Sequence, residues 1–326
     1  MRSRFLVLVS IAFFAALACG SAQARGPEPA LWKIKRGDST VYLFGSIHAL
    51  PEYWQWRTKP IDATIASANV FVFESPLLAP KSIGDMRVFL RENGTLPRGK
   101  HLSRMLSEEG LADFKTLLSR ARVDPDSVNV MRPWLALMVL GSSQVQDGAR
   151  QMLAGEGVDV TFLQYAERMK RPVRYFESVK TQLEILHASA PDDDIKGFEA
   201  GLHDMVHTRN AVGSLLNAWT AGNVNAIAKI NDEVVVKDPR AKQMVLDVRN
   251  HNWIPQIERM MLEKQTTFIT VGAAHLAGPG SVVDLLCQRG WKVERVKTGT
   301  SVPPLACPPG LQAKSTSPVK EIALRF

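Results

Sequence analysis

The strongest constraint on the fold comes from four short runs of strand formers, each ending at a residue suited to bind a ligand. "VYLFGSIHAL", residues 41–50, is an apolar run closed by Gly45 and followed by His48. "FITVGAAHLAG", residues 268–278, repeats the pattern with Gly272 and His275. Between them "VFVFES" and "VRYFES" are apolar runs that finish on Glu74 and Glu177. The chain order is therefore Gly-x-x-His, Phe-Glu-Ser, Phe-Glu-Ser, Gly-x-x-His, which reads as two related halves. Runs this short and apolar are buried strands, and the long helical patterns between them call for an α/β fold with helical insertions.

The remaining patterns fill in that frame. Residues 31–34 and 40–44 read as a hairpin around Gly37 and Asp38, followed by a helix over 60–67 and a strand over 70–73. From 83 to 171 the periodicity is helical, with Ser107 as an N-cap before "EEGLADFKTLLSRA" and with "PWLALMVLGSSQV" apolar all round, as in a buried helix. "PVRYFES" returns to strand, and a second helical block covers 180–263. Strand 266–271, a loop, helix 282–289 and strand 291–296 complete the expected domain, which spans 25–309 ahead of a loose tail over 310–326.

Residues 1–24 read as a signal peptide. Arg2 and Arg4 precede an apolar run over 5–18, and Ala22-Gln23-Ala24 has the small-x-small form of a cleavage site. The alternative is lipoprotein processing at Cys19. Either way the expected location is periplasmic or secreted, and no later segment has the length and apolarity of a membrane span. The formal charge of +8 includes Arg2 and Arg4, and the other basic residues are spread along the chain, which argues against nucleic-acid binding. Loss of Cys19 leaves Cys287 and Cys307, 20 residues apart, as a disulfide in an oxidising compartment or else as one buried and one exposed thiol.

A histidine just past the C-terminal end of a strand is held by a rigid sheet yet open to solvent, and the preceding glycine lets the loop turn sharply. Two imidazoles and one or two carboxylates from different strand ends make an open site for a divalent metal, which activates water for hydrolysis. The expected ligands are His48, Glu74 and His275, with Glu177 as a fourth ligand or general base. No Gly-x-Ser-x-Gly, His-Glu-x-x-His, Walker or Gly-x-Gly-x-x-Gly motif competes with this reading. "GLHDMVH" places His203 and His207 one helical turn apart, a spacing that can bind metal, but no glutamate adjoins the first histidine.

"LWKIKRGDSTVYLFGSIHALP", "VFVFES", "GEGVDVTFLQYAERMKRPVRYFES", "VRNHNWIPQIERM" and "TFITVGAAHLAGPGSVVDLLCQRGWKVERV" together resemble the TraB/GumN (TraB/PrgY/GumN) family, which is similar in turn to the Tiki metalloproteases. The resemblance runs from Leu31 to Val296. It implies a Tiki/TraB-like, EreA/ChaN-like α/β fold in which two Gly-x-x-His loops and a glutamate meet, here His48, His275 and Glu74. It also implies peptidase chemistry with Mn²⁺ or Co²⁺, Zn²⁺ being the further candidate from the ligand types. The family's Arg-Asn pair falls on Arg249 and Asn250, where the arginine would hold a substrate carboxylate or a developing oxyanion. The expected function is a metal-dependent hydrolase acting on a peptide or small molecule; the alternative is a non-catalytic protein that sequesters such a ligand.

Overall fold

Leu31–Arg36 (β1) and Ser39–Ser46 (β2) form the hairpin, paired from Leu31 with Phe44 to Arg36 with Ser39, and Gly37 takes the turn at φ 54°. This computed structural model describes residues 26–51, 53–78, 82–121, 123–147, 155–207, 211–235, 239–301 and 307. Residues 1–25, where the signal peptide and Cys19 are expected, and the tail over 310–326 lie outside the described residues.

After the hairpin come β3 (Ala49–Leu50), α1 (Lys59–Ser67), β4 (Val70–Phe73), α2 (Ile83–Asn93), α3 (Glu108–Ala121), α4 (Pro125–Asn129) and α5 (Pro133–Asp147). The middle of the chain supplies β5 (Gly155–Glu156), α6 (Val158–Arg168), β6 (Val173–Tyr175), α7 (Val179–Ser189), α8 (Ile195–His207), α9 (Ala211–Thr220), α10 (Val224–Ile230) and α11 (Pro239–Lys242). Last come α12 (Val248–Met260), β7 (Thr266–Gly272), α13 (Val282–Gln288) and β8 (Val293–Arg295).

The main sheet is mixed, with strand order β6-β4-β7-β2-β1-β8. From β6 to β2 the neighbours are parallel, so these four strands end at the same edge, while β1 and β8 run antiparallel at the other side. Both faces are buried, which is why the strands read as continuous apolar runs rather than alternating ones. The pleat nevertheless sorts side chains by type. Val41, Leu43, Val72, Ile269 and Val271 pack against Trp253, Ile254 and Ile257 of α12 and Leu286 of α13. Phe44, Phe71, Phe73 and Phe268 point the other way, against α1, α6 and α9. Phe268 meets Phe162 of α6 edge-on, with ring centroids 5.1 Å apart.

Helices inserted before and after β6 form a block with its own core, in which α3, α5 and α8 pack through Phe114, Leu117, Leu140, Phe198 and Leu202. Ser107 caps α3 as the sequence suggests, its Oγ accepting the Gly110 N–H at 3.1 Å. The expectation of a helix buried all round is corrected at α5, where Trp134, Ala136 and Leu140 are buried but Met138 is 40% exposed. Its apolar residues serve two separate cores, so the helix needs no complete burial. Cys287 and Cys307 form a disulfide that fixes the segment after β8 to α13. No helix among the described residues is long and apolar enough to cross a membrane.

Candidate metal centre

Parallel pairing brings the four motif ends to one sheet edge. Ser46 lies opposite Gly272 in the β2–β7 register, and the Glu177 N–H donates to the Glu74 carbonyl at 2.9 Å, extending the β4–β6 pairing to the two glutamates. The two Gly-x-x-His loops touch at Gly45, where a Cβ would lie 2.9 Å from the Cα of Ala273. The first loop is held further by the Trp219 indole, which donates to the Gly45 carbonyl at 2.8 Å, and by β3 pairing with β5.

Gly272 sits at a hollow. A Cβ there would lie 3.2 Å from Glu74 Oε1, 3.6 Å from His48 Nε2 and 3.6 Å from His275 Cδ2. The structure thus brings His48, Glu74 and His275 around one point. Each histidine is oriented through its other ring nitrogen. His48 Nδ1 donates to Asp159 Oδ1 at 3.2 Å. His275 Nδ1 donates to Asn250 Oδ1 at 2.6 Å, and the Asn250 amide is itself oriented by donating Nδ2 to the Gly280 carbonyl at 3.0 Å. Nδ1 is thus committed in both rings, which leaves His48 Nε2 facing the hollow, whereas His275 turns its Cδ2 edge to it. Glu74 keeps Oε1 toward the hollow by accepting the Gly272 N–H at 2.6 Å.

Arg249 lies beside this trio, in the first turn of α12 where it follows a π-helical turn, Gln243–Asp247. Its Nη1 donates to His275 Nε2 at 3.1 Å and to the Val245 carbonyl at 3.2 Å. Its Nη2 donates to Glu74 Oε2 at 2.6 Å and Gln182 Oε1 at 2.8 Å, and its Nε to Glu177 Oε1 at 2.9 Å. Every guanidinium nitrogen is thus used within the protein. Glu177 is spent on Arg249 and on the Trp253 indole, which donates to it at 2.8 Å, and this places its carboxylate behind the arginine rather than at the hollow. Asn250 reaches the site through His275.

The hollow opens into a pocket of about 230 Å³ bordered by Ser46, Leu77, Asp159, Leu163, Tyr175 and Thr270. The Ser46 and Thr270 hydroxyls are buried and have no partner among the described residues. Three contributors escaped the sequence reading: Asp159, Gln182 and Trp253. Asp159 follows the helix-capping Gly157 in the first turn of α6, which the β3–β5 pairing and the Val158 N–H, donating to the Ile47 carbonyl at 3.0 Å, bring to His48.

The profile of the TraB/PrgY/gumN family matches residues 30–295. The chain belongs to the TraB/PrgY/gumN family. Metalloprotease TIKI1 of Danio rerio is 24% identical to this TraB/PrgY/gumN member over 322 residues, covering 82% of this chain and 63% of its own length. An uncharacterized protein of Treponema pallidum (strain Nichols) is 22% identical over 303 residues, covering 84% of this chain and 87% of its own. No solved structure matches the chain.

Burial and neighbouring charges shift three titratable groups of this TraB/PrgY/gumN site. Burial opposes the charge on Glu74, yet His275, Arg249, His48 and the Gly272 N–H hold its carboxyl well below the usual range. Burial pushes His275 down to about 3, with Glu74 opposing and Arg249 and His48 adding to the shift, so the imidazole stays neutral. The His48 side chain is 70% exposed. Crowding opposes its charge, but the hydrogen bond and charge of Asp159, together with Glu74, raise it to about 9. His48 therefore holds a proton at neutral pH, and the candidate ligand atoms of His48, Glu74 and His275 do not all lie within 4.8 Å of one another.

One pH effect follows for metal-free protein. Unfolded His275 takes up a proton near pH 6.5, whereas the folded site refuses it until about 3, so the unfolded state gains protons as pH falls through this window. Near pH 5, where His48 is protonated in folded and unfolded chains alike, stability should fall with a slope approaching one proton, about 1.4 kcal/mol per pH unit. His275→Gln should flatten that slope in urea titrations; an unchanged slope would show that His275 is not the group responsible.

Proposed function

We propose that this TraB/PrgY/gumN member is a metal-dependent hydrolase, acting on peptides, with His48, Glu74 and His275 as the metal ligands. The observation that carries this reading is the hollow at Gly272, lined by His48 Nε2, Glu74 Oε1 and the Cδ2 edge of His275. The likeness to Metalloprotease TIKI1 supports it. A divalent ion of the Mn²⁺, Co²⁺ or Zn²⁺ type supplies Lewis acidity toward a carbonyl and a water-derived nucleophile at neutral pH. The chain's own residues do the rest. Asp159 and Asn250 hold Nδ1 of His48 and His275, and Glu177 holds Arg249 in place. On this reading Glu177 is a positioning residue rather than a ligand or base. We place the domain outside the cytoplasm, and the Cys287–Cys307 disulfide supports that placement.

One observation favours the non-catalytic alternative. Arg249 donates to His275 Nε2 and Glu74 Oε2, groups that the metal reading needs as ligands. A peptide-library cleavage assay with Mn²⁺, Co²⁺ or Zn²⁺ separates the two. Turnover should require added metal and vanish in His48→Ala, a variant whose exposed side chain makes unfolding an unsuitable explanation. Peptide binding without metal, unaltered by His48→Ala and without cleavage, would instead identify a sequestering protein.

A further inference from the structure

The helical block carries a second convergence of ligand-type side chains, contributed by helices that supply nothing to the hollow at Gly272. His203 and His207 lie one turn apart on α8, and their ring centroids are 4.2 Å apart. Asp113, on the neighbouring α3, points one oxygen at each: Oδ2 is 3.2 Å from His203 Nδ1, and Oδ1 is 3.0 Å from His207 Nε2. The three ligand atoms lie within 4.8 Å of one another. Glu109, one turn earlier on α3, brings Oε1 to 3.7 Å from His203 Nδ1. The missing partner of the "GLHDMVH" spacing therefore comes from a carboxylate 90 residues away.

We propose that Asp113, His203 and His207 form a second metal site, selective for a first-row transition ion of the zinc class, that staples α3 to α8. Tetrahedral zinc with bonds of about 2.0–2.1 Å has ligand atoms about 3.3 Å apart, and here each imidazole nitrogen lies 3.0–3.2 Å from its own oxygen of the Asp113 carboxylate. Two imidazoles and one carboxylate are borderline donors that suit Zn²⁺ over Ca²⁺ or Mg²⁺. The scaffold presets the geometry. Phe114 and Phe198, each close in sequence to a ligand, are buried in the core these helices share. One turn before His203, Glu199 accepts the Ser107 N–H at the start of α3 and so fixes how the two helices sit. Asp113 is nearly enclosed, with 9% of its side chain exposed, whereas both histidines are half exposed and leave an open face for Glu109 or water.

The test compares zinc content by elemental analysis after equilibrium dialysis of untagged full-length protein, wild type against His203→Ala/His207→Ala and Asp113→Asn. Wild type should carry one zinc equivalent more than either variant. Co²⁺ should give it a tetrahedral visible spectrum that both variants lack, and Zn²⁺ should raise its Tm by several degrees more than theirs. His48→Ala removes a ligand from the other site alone, so a loss there is counted separately from a loss here. Circular dichroism establishes that each variant is folded, and the half-exposed histidines can be removed without opening the core. Equal zinc in wild type and variants, or no zinc lost when both histidines are replaced, overturns the proposal.

Discussion

Gly272→Ala should fold normally and lose its metal. The backbone at Gly272 has φ −51° and ψ 139°, which any L-residue adopts, so the substitution brings no conformational penalty. The added methyl instead enters the hollow, 3.2 Å from Glu74 Oε1 and 3.6 Å from His48 Nε2. Changes behind a metal ligand typically cost about 10–100-fold in affinity, and an atom placed among the ligands should exceed the upper end of that range. Calorimetric titration with Mn²⁺, Co²⁺ and Zn²⁺ measures the loss, and thermal unfolding should place Tm within a few degrees of wild type. Wild-type affinity in a folded Gly272→Ala protein would sink the assignment of the hollow as the metal position. Gly45→Ala is the informative contrast: its methyl would strike backbone of Ala273 at 2.9 Å, so it should destabilise the fold rather than alter affinity alone.

Removing the Arg249 side chain should have the largest effect on stability. In Arg249→Met the carboxylates of Glu74 and Glu177 and the Gln182 carbonyl lose their shared donor in a site where the arginine is 3% exposed. Breaking a buried ion pair from one side costs about 3–5 kcal/mol, because the surviving charge stays desolvated. Arg249→Lys should recover only part of this, since an ammonium lacks the planar fork that serves three acceptors at once. The double variant Arg249→Met/Glu177→Met should be less destabilised than the sum of its singles, which urea midpoints would reveal. Strict additivity would mean that the two side chains do not act as a unit.

The fold was largely legible in the sequence because its parallel strands are buried on both faces and so stand out as apolar runs bounded by Gly, Pro and Ser. Strand 70–73 and the Ser107 cap fall where the local pattern puts them. The convergence of Glu74, His48 and His275 was suggested by their similar places after strands, but adjacency itself depends on strand order, which local periodicity does not contain. The role expected for Glu177 shows the limit. Its resemblance to Glu74 lies in three letters, while its position behind Arg249 depends on Trp253 and on an arginine 72 residues later. Asp113 was hidden for the same reason: nothing in "GLHDMVH" points to a partner on α3.

The pairing of β2 with β7 has a consequence for the time at which the protein becomes competent. Tyr42 and Phe268 are partners across that pair, so the central seam of the sheet closes only when chain ends separated by more than two hundred residues have met. Contacts of such separation form late, after the loop-closure entropy has been met by other elements. A growing or partly folded chain therefore holds one Gly-x-x-His loop without the other. The two loops can therefore meet only after the second has been synthesised, and the candidate metal site assembles no earlier than that.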